Sequence, residues 1–140
     1  MKIVIDASVV IKWLLDDDPG EHDVDKAEGI LALLTAGAGQ AFQPLHWRAE
    51  ALSDVARKAP EKIEQACTLL FSVPVQTVES IETYRKAAEL AAGLKHHLFD
   101  TLYHAVALDR GATLITADNR YFAKAFRLGN IKMLTAFDPS

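Results

Sequence analysis

The chain has 140 residues, 50% of them hydrophobic, with 15 Lys and Arg against 19 Asp and Glu for a formal net charge of −4. That length suits one domain over residues 1–140 with a core large enough to fold alone, and the acidic balance excludes a general attraction to polyanions, so any nucleic-acid contact must be local. The composition is that of a soluble globular protein, and no apolar run approaches the roughly 20 residues of a membrane span.

The start, Met1-Lys2-Ile3, shows no basic, apolar and cleavage pattern of an export signal, so a cytoplasmic location is expected. Cys67 is the only cysteine and forms no internal disulfide; its helical spacing with Ile63 and Leu70 reads as core. Charge is unevenly spread. Residues 1–28 carry Lys2, Lys12 and Lys26 against eight acids, whereas 118–140 carry Arg120, Lys124, Arg127 and Lys132 against Asp118 and Asp138. The C-terminal segment is therefore the candidate basic surface.

Taken in chain order, Ile3-Val4-Ile5 is a short apolar, β-branched run of the kind covered on both faces in a parallel sheet. Asp6 and Ser8 offer helix N-caps before "VVIKWLL". After the acidic turn "DDDPGEHD", residues 24–36 read as a helix closed by Gly37 and Gly39. "QAFQP" is a weak strand ended by Pro44, residues 45–58 are helical, and Pro60 starts another helix to about Phe71. "SVPVQTV" is a short extended piece. Residues 79–95 form a strong helix with Ile81, Tyr84, Ala88 and Ala91 or Ala92 on one side, and a further helix runs from about Phe99 to Arg110, ended by Gly111. The strand "TLIT" at 113–116, a helix from Asn119 to Leu128 stopped by Gly129, and a last strand "IKML" at 131–134 complete the chain. Short strands with intervening helices imply right-handed crossovers and a three-layer α/β/α fold with a mostly parallel central sheet, more helical in its middle than strict alternation gives.

Ligands of open α/β sheets bind outside the carboxyl ends of the strands, where the βα turns gather. Asp6 ends the first strand and Asp118 lies two residues beyond "TLIT", so both emerge at that edge. Asp100 stands at the start of a helix, and Glu50 lies about a turn and a half into another. Each of the three aspartates opens a helix, where Asp is a preferred N-cap, so each taken singly also has an ordinary structural reading. Glu50 projects off the stripe of Leu45, Ala49, Leu52 and Ala56, and on periodicity alone Asp54, one turn later, is an equal candidate.

Four segments, "IVIDASVVIKWLL", "WRAEALSDV", "FDTLYHAVAL" and "LITADNRYFAKA", resemble in order the signature segments of the PIN-domain ribonucleases, and most closely the VapC-type toxins of toxin–antitoxin pairs. The resemblance implies a PIN-like fold and places Asp6, Glu50, Asp100 and Asp118 on the family's four acidic catalytic positions, with Asp6, Asp100 and Asp118 as metal ligands and Glu50 preferred to Asp54. Ser8 and Asn119 fall where the family supports its site by hydrogen bonds. It further implies hydrolysis of an RNA phosphodiester (tRNA, rRNA or mRNA) to a 5'-phosphate and a 3'-hydroxyl, a cognate VapB-like antitoxin laid along the acidic site, and a homodimer. Apolar helices such as "VVIKWLL" and "ILALL" could supply those protein contacts, with core packing as the alternative.

Physics supplies a reason for a cation. Two unit charges about 6 Å apart repel by roughly 3 kcal/mol at an effective dielectric near 20, and four carboxylates make several such pairs. Hard oxygen ligands suit Mg²⁺ or Mn²⁺. Without the ion, one or more carboxylates should hold a proton.

Other constellations weigh less. His96, His97 and His104 near Asp100 lack a cysteine cluster or an HExxH helix, so they read as exposed or helix-end histidines rather than a zinc site. Lys12, Arg48, Arg120, Lys124 and Arg127 are candidate contacts to RNA phosphates, with solvated helix faces as the commoner fate. Trp13 and Trp47 could stack bases, but core or dimer packing is the simpler reading. A haloacid-dehalogenase-like phosphatase would place a second aspartate at position 8, which is Ser8, and no G-x-S-x-G elbow is present. A noncatalytic RNA- or protein-binding module on the same fold is the remaining alternative.

Overall fold

The computed structural model describes residues 1–139. Five parallel strands, β1 (Lys2–Ile5), β2 (Gln40–Pro44), β3 (Gln76–Val78), β4 (Thr113–Thr116) and β5 (Ile131–Met133), are ordered β3-β2-β1-β4-β5. Among the described residues seven α-helices flank them: α1 (Ala7–Leu14), α2 (Val24–Thr35), α3 (Trp47–Lys58), α4 (Ile63–Ser72), α5 (Ile81–Leu94), α6 (Leu98–Arg110) and α7 (Asn119–Ala125). The sheet is wholly parallel, where a mostly parallel one was expected. Two-helix crossovers, α3–α4 and α5–α6, account for the helical excess in the middle of the chain. Among the described residues no helix is long and apolar enough to cross a membrane.

Strand β1 is the centre of the sheet, with α6 packed against it, and Ile3, Val4 and Ile5 are at most 1% exposed. Its neighbours lie on opposite sides, β2 reached by one crossover and β4 by the later ones, so the chain reverses its winding at β1 and β4. A crevice at the carboxyl ends of those two strands is what that topology leaves. Residues Ile5 and Ile115 are in register, and the Asp6 amide donates to Ile115 O at 3.0 Å. The last residues of β1 and β4 therefore reach the same edge side by side.

On the other flank, β1 and β2 pair only over Lys2–Gln40 and Ile3–Ala41. Where the backbones part, the Gln43 side chain takes over: its Oε1 accepts from Ile5 N at 2.7 Å and its Nε2 donates to Ile5 O at 3.0 Å. This fully buried amide completes the ladder that the diverging strand leaves open.

Several helix faces differ from expectation. Helix α1 is core almost throughout: Val9 to Leu15, Lys12 included, are buried, so "VVIKWLL" offers no free contact surface. In "ILALL", Ile30 and Leu34 are buried and Leu31 and Leu33 pack partly against the core. The buried side of α3 is Trp47, Ala51 and Val55, not the stripe through Leu45, which lies before the helix and is 63% exposed. In α5 the buried residues are Thr83, Ala87 and Leu90, with Ile81 69% exposed and Tyr84 40%. There Thr101 of α6 donates its hydroxyl to Ala87 O at 2.8 Å, so small and polar residues make the close α5–α6 contact that the apolar stripe was expected to make. Cys67 is half-buried because α4 turns Ala66 and Leu70 inward and leaves Ile63 outside. The helix expected to run from 119 to 128 is α7 followed by a single 3₁₀ turn, Phe126–Leu128. Trp13 and Trp47 are both core, and the Trp13 indole donates to Ala27 O at 2.7 Å.

Candidate metal centre

Each acidic side chain stands at the start of a helix. Asp6 is the N-cap of α1, and its carboxylate accepts from Ser8 N at 3.2 Å and from the Ser8 hydroxyl. Asp118 is the N-cap of α7, with Oδ1 accepting from Tyr121 N at 3.1 Å. Asp100 and Glu50 occupy the first turns of α6 and α3. Helix N-termini carry partial positive charge from unpaired amides, which favours a carboxylate at each of these positions.

Thr116 joins two of them. Its hydroxyl donates to Asp6 Oδ2 at 3.2 Å and accepts the Asp118 amide at 3.0 Å, while Ser8 Oγ accepts from Ala117 N at 2.9 Å. The end of β4 is thus stitched to the start of α1 by two hydroxyls. Asn119, expected to share this support, is exposed at the first position of α7.

A second set of contacts ties α3 to α6. His46, just before α3, donates from Nε2 to Phe99 O at 2.9 Å, and its ring lies 4.9 Å from the Tyr103 ring. Tyr103, one turn after Asp100, donates its phenol hydrogen to Glu50 Oε1 at 3.1 Å. Asp54 instead pairs with Arg57 at 2.6 Å. The choice that helical periodicity leaves open is thereby narrowed, because Glu50 alone of the two is hydrogen-bonded to the α6 residue beside Asp100.

Electrostatics mark the same group. Burial pushes the Asp6 carboxyl up to about 6 from an ordinary 3.8; the Ser8 hydroxyl opposes that rise and the charge of Asp100 adds to it. Burial also lifts Glu50 to about 7, helped by the charge of Asp6 and, less, by Asp100 and Asp54, with the Tyr103 hydrogen bond pulling the other way. The Tyr103 phenol is driven upward by its own burial and then by Glu50, so it stays a donor. Desolvated carboxylates repelling one another are the condition that a hard cation relieves. Asp100, Asp118 and His96 each offer a ligand atom within 4.8 Å of the others. A donor set of carboxylate oxygens with Asp6 buried behind it fits Mg²⁺ or Mn²⁺.

The surrounding cleft, about 440 Å³, is lined by His96, His97, Asp100 and Asp118 on one part and Lys95, Arg120 and Lys124 on another. Arg120 and Lys124 thus stand beside the carboxylates. Lys12 does not: it is buried in an ion pair with Glu21 at 2.9 Å. Arg48 is held over the Trp47 and Phe71 rings, with its Nε donating to Leu70 O at 3.1 Å, which fastens α3 to α4. His97 is exposed at the N-cap of α6, as expected, but the other two histidines near Asp100 are not exposed. His104 is fully buried, bonded to the Tyr121 hydroxyl and Gly129 O at 2.8 Å each, and the His96 side chain is only 8% exposed, 2.7 Å from Asp100 Oδ2. Thr116, Tyr103 and His46, which touch candidate acids, were not singled out by motif reading, and His96 was set aside as exposed or helix-end. The i,i+4 spacings of His46–Glu50 and His96–Asp100 were the visible signal.

Comparison with known proteins agrees with this architecture. The PIN domain family model matches residues 3–127, and the chain belongs to that family. VapBC2 from Rickettsia felis bound to a DNA fragment from their promoter superposes with a TM-score of 0.67 at 18% identity, covering 95% of this chain and 97% of that one. A toxin–antitoxin complex from Klebsiella pneumoniae gives 0.65 at 17%, covering 99% and 98%, and VapBC-1 from nontypeable Haemophilus influenzae gives 0.63 at 18%, covering 96% and 99%. No curated protein matches the sequence at a significant level.

Proposed function

We propose that this chain is a Mg²⁺- or Mn²⁺-dependent endoribonuclease and the toxin of a type II toxin–antitoxin pair, acting in the cytoplasm. The observation that carries the reading is the Asp6 carboxyl, buried at the switch point of the sheet inside the fields of Glu50 and Asp100. A buried acid costs several kcal/mol unless something uses its charge. In this reading Asp6, Asp100 and Asp118 hold the ion, which when bound supplies an activated water and offsets charge on the phosphodiester. Ser8 and Thr116 fix the Asp6 carboxylate. Glu50, kept close to neutral pH by its burial, takes or returns a proton at the attacking water, and Tyr103 orients it. Arg120 and Lys124 meet the RNA backbone beside the carboxylates, which answers the demand for local positive charge on an acidic protein.

Two neighbours of the same fold are described as VapBC assemblies and a third as a toxin–antitoxin complex, and that supports a VapB-like antitoxin as partner. Phe99, 60% exposed beside Glu50, supports a protein segment or RNA strand lying across the site. A homodimer is the expected assembly.

The test is cleavage of purified tRNA and rRNA with Mg²⁺ or with EDTA, by the wild type and by Asp6→Asn. Fragments are expected only for the wild type with metal. Asp6→Asn cutting as fast as wild type, in preparations cleared of contaminating nuclease, overturns the assignment.

A further inference from the structure

His96 presents two alternatives, because it lies close enough to Asp100 and Asp118 to be a third ligand yet is already hydrogen-bonded on both ring nitrogens. Lys124 decides between them. Its ammonium has only hydrogens to give, so its 3.2 Å contact with His96 Nδ1 makes that nitrogen the acceptor. A neutral imidazole then carries its single hydrogen on Nε2, which points at Asp100 Oδ2 from 2.7 Å.

We propose that His96 is a positioning residue, locked by Lys124 in the tautomer that donates to Asp100 Oδ2, so that Asp100 offers its other oxygen to the cation. This rests on the reading of Asp100 as a metal ligand.

The surroundings hold the arrangement still. Lys95 closes α5 in the left-handed region at φ 53°, a conformation that costs a non-glycine residue roughly 1–2 kcal/mol, and Lys124 also donates to Lys95 O at 3.1 Å. One ammonium therefore secures both the turn that carries His96 and the ring itself. On its other side the ring meets the Tyr121 edge at 4.9 Å. The Tyr121 hydroxyl donates to His104 Nδ1, and His104 Nε2 donates to Gly129 O. A ring so clamped has little freedom to turn Nε2 away from Asp100 and toward an ion. Partners of ligating groups that fix orientation in this way are worth about 10- to 100-fold in metal affinity or activity.

The experiment follows the ring nitrogens by ¹⁵N NMR in metal-free and Mg²⁺-saturated protein, alongside calorimetric Mg²⁺ titration and RNA cleavage. Nε2 is expected to stay protonated with and without Mg²⁺ in the wild type, and the Nδ1–H tautomer to appear in Lys124→Met. His96→Ala is expected to weaken Mg²⁺ binding by about 10- to 100-fold, and His96→Gln, whose amide can still donate, to recover part of that loss. Loss of the Nε2 hydrogen on adding Mg²⁺ makes His96 a ligand and overturns the proposal. So does wild-type Mg²⁺ affinity in His96→Ala, and if that variant does not fold, an unchanged tautomer in Lys124→Met does the same. A wild type that cleaves RNA while either result is obtained leaves the nuclease reading intact. A wild type that neither binds Mg²⁺ nor cleaves RNA removes both.

Discussion

Tyr103 donates its phenol hydrogen to Glu50 Oε1 at 3.1 Å from a ring with no exposed surface. The bond joins α6 to α3 and lowers the Glu50 pKa against the burial that raises it. Tyr103→Phe removes the hydroxyl and little volume. A hydrogen bond to a charged acceptor contributes about 1.5–3 kcal/mol, so RNA cleavage should fall by roughly 10- to 100-fold. The Glu50 carboxyl should also titrate higher in the metal-free variant than in the wild type, which ¹³C NMR of its side chain can follow. An unchanged titration there would separate Tyr103 from Glu50.

The raised carboxyls give the metal-free protein a defined pH dependence. Asp6 at about 6 and Glu50 at about 7 hold their protons more tightly than the unfolded chain does, with ordinary values of 3.8 and 4.5. Their contribution to stability is thus fully present below about pH 4 and is lost as pH rises through 6 to 7. Asp6→Asn keeps a good N-cap and drops the charge. At pH 8 without metal it should melt higher than wild type by about 3–6 °C, the effect of roughly 1–2 kcal/mol in a chain of this size. At pH 4 the advantage should vanish. Mg²⁺ should raise the wild-type melting temperature at pH 8 and leave that of the variant nearly unmoved, as differential scanning fluorimetry will report.

Glu50 and Asp54 differ in surroundings more than in chemistry. Asp54 is paired with Arg57, whose side chain is 67% exposed, and surface pairs of this kind contribute about 0–1 kcal/mol. Asp54→Asn should leave cleavage within about twofold of wild type and melting within about 2 °C. Glu50→Gln should lower cleavage by about 100-fold or more, the scale of general acid–base assistance. Equal damage from the two substitutions in a cleavage assay would return Asp54 to the site.

Why the carboxylates were legible and their supports were not follows from what a linear pattern encodes. Asp6 and Asp118 follow apolar strands, and parallel topology sends every such residue to one edge, so strand ends alone bring them together. Asp100 was visible as a helix start. Periodicity left Glu50 and Asp54 equal because it followed a stripe through Leu45, which lies before α3; the buried side is Trp47, Ala51 and Val55, and Glu50 accepts from Tyr103. Periodicity likewise chose the wrong face of α5, where the buried side is built of Thr83 and Ala87 so that α6 can approach closely. Thr116 reads simply as a strand residue, and its role depends on register between β1 and β4. His96 follows the left-handed Lys95 and stands before α6, so its i,i+4 spacing to Asp100 hints at their contact but helix periodicity alone does not fix it.

Gln43 gives the sharpest test of the scaffold beneath the site. It bonds both backbone groups of Ile5, the residue immediately before Asp6, where β2 has already left β1. Replacing it with Leu or Met keeps most of the volume but leaves a buried N–H and a buried C=O unpaired, each costing about 1–3 kcal/mol. Gln43→Leu should therefore destabilise the protein by roughly 2–5 kcal/mol, measured by urea denaturation. Gln43→Glu keeps an acceptor for Ile5 N, but ionised it cannot donate to Ile5 O and adds negative charge next to Asp6, so it should be worse at pH 8 than at pH 5. If Gln43→Leu costs less than about 1 kcal/mol, the two strands are closing the gap without the side chain, and Asp6 does not depend on Gln43 for its position.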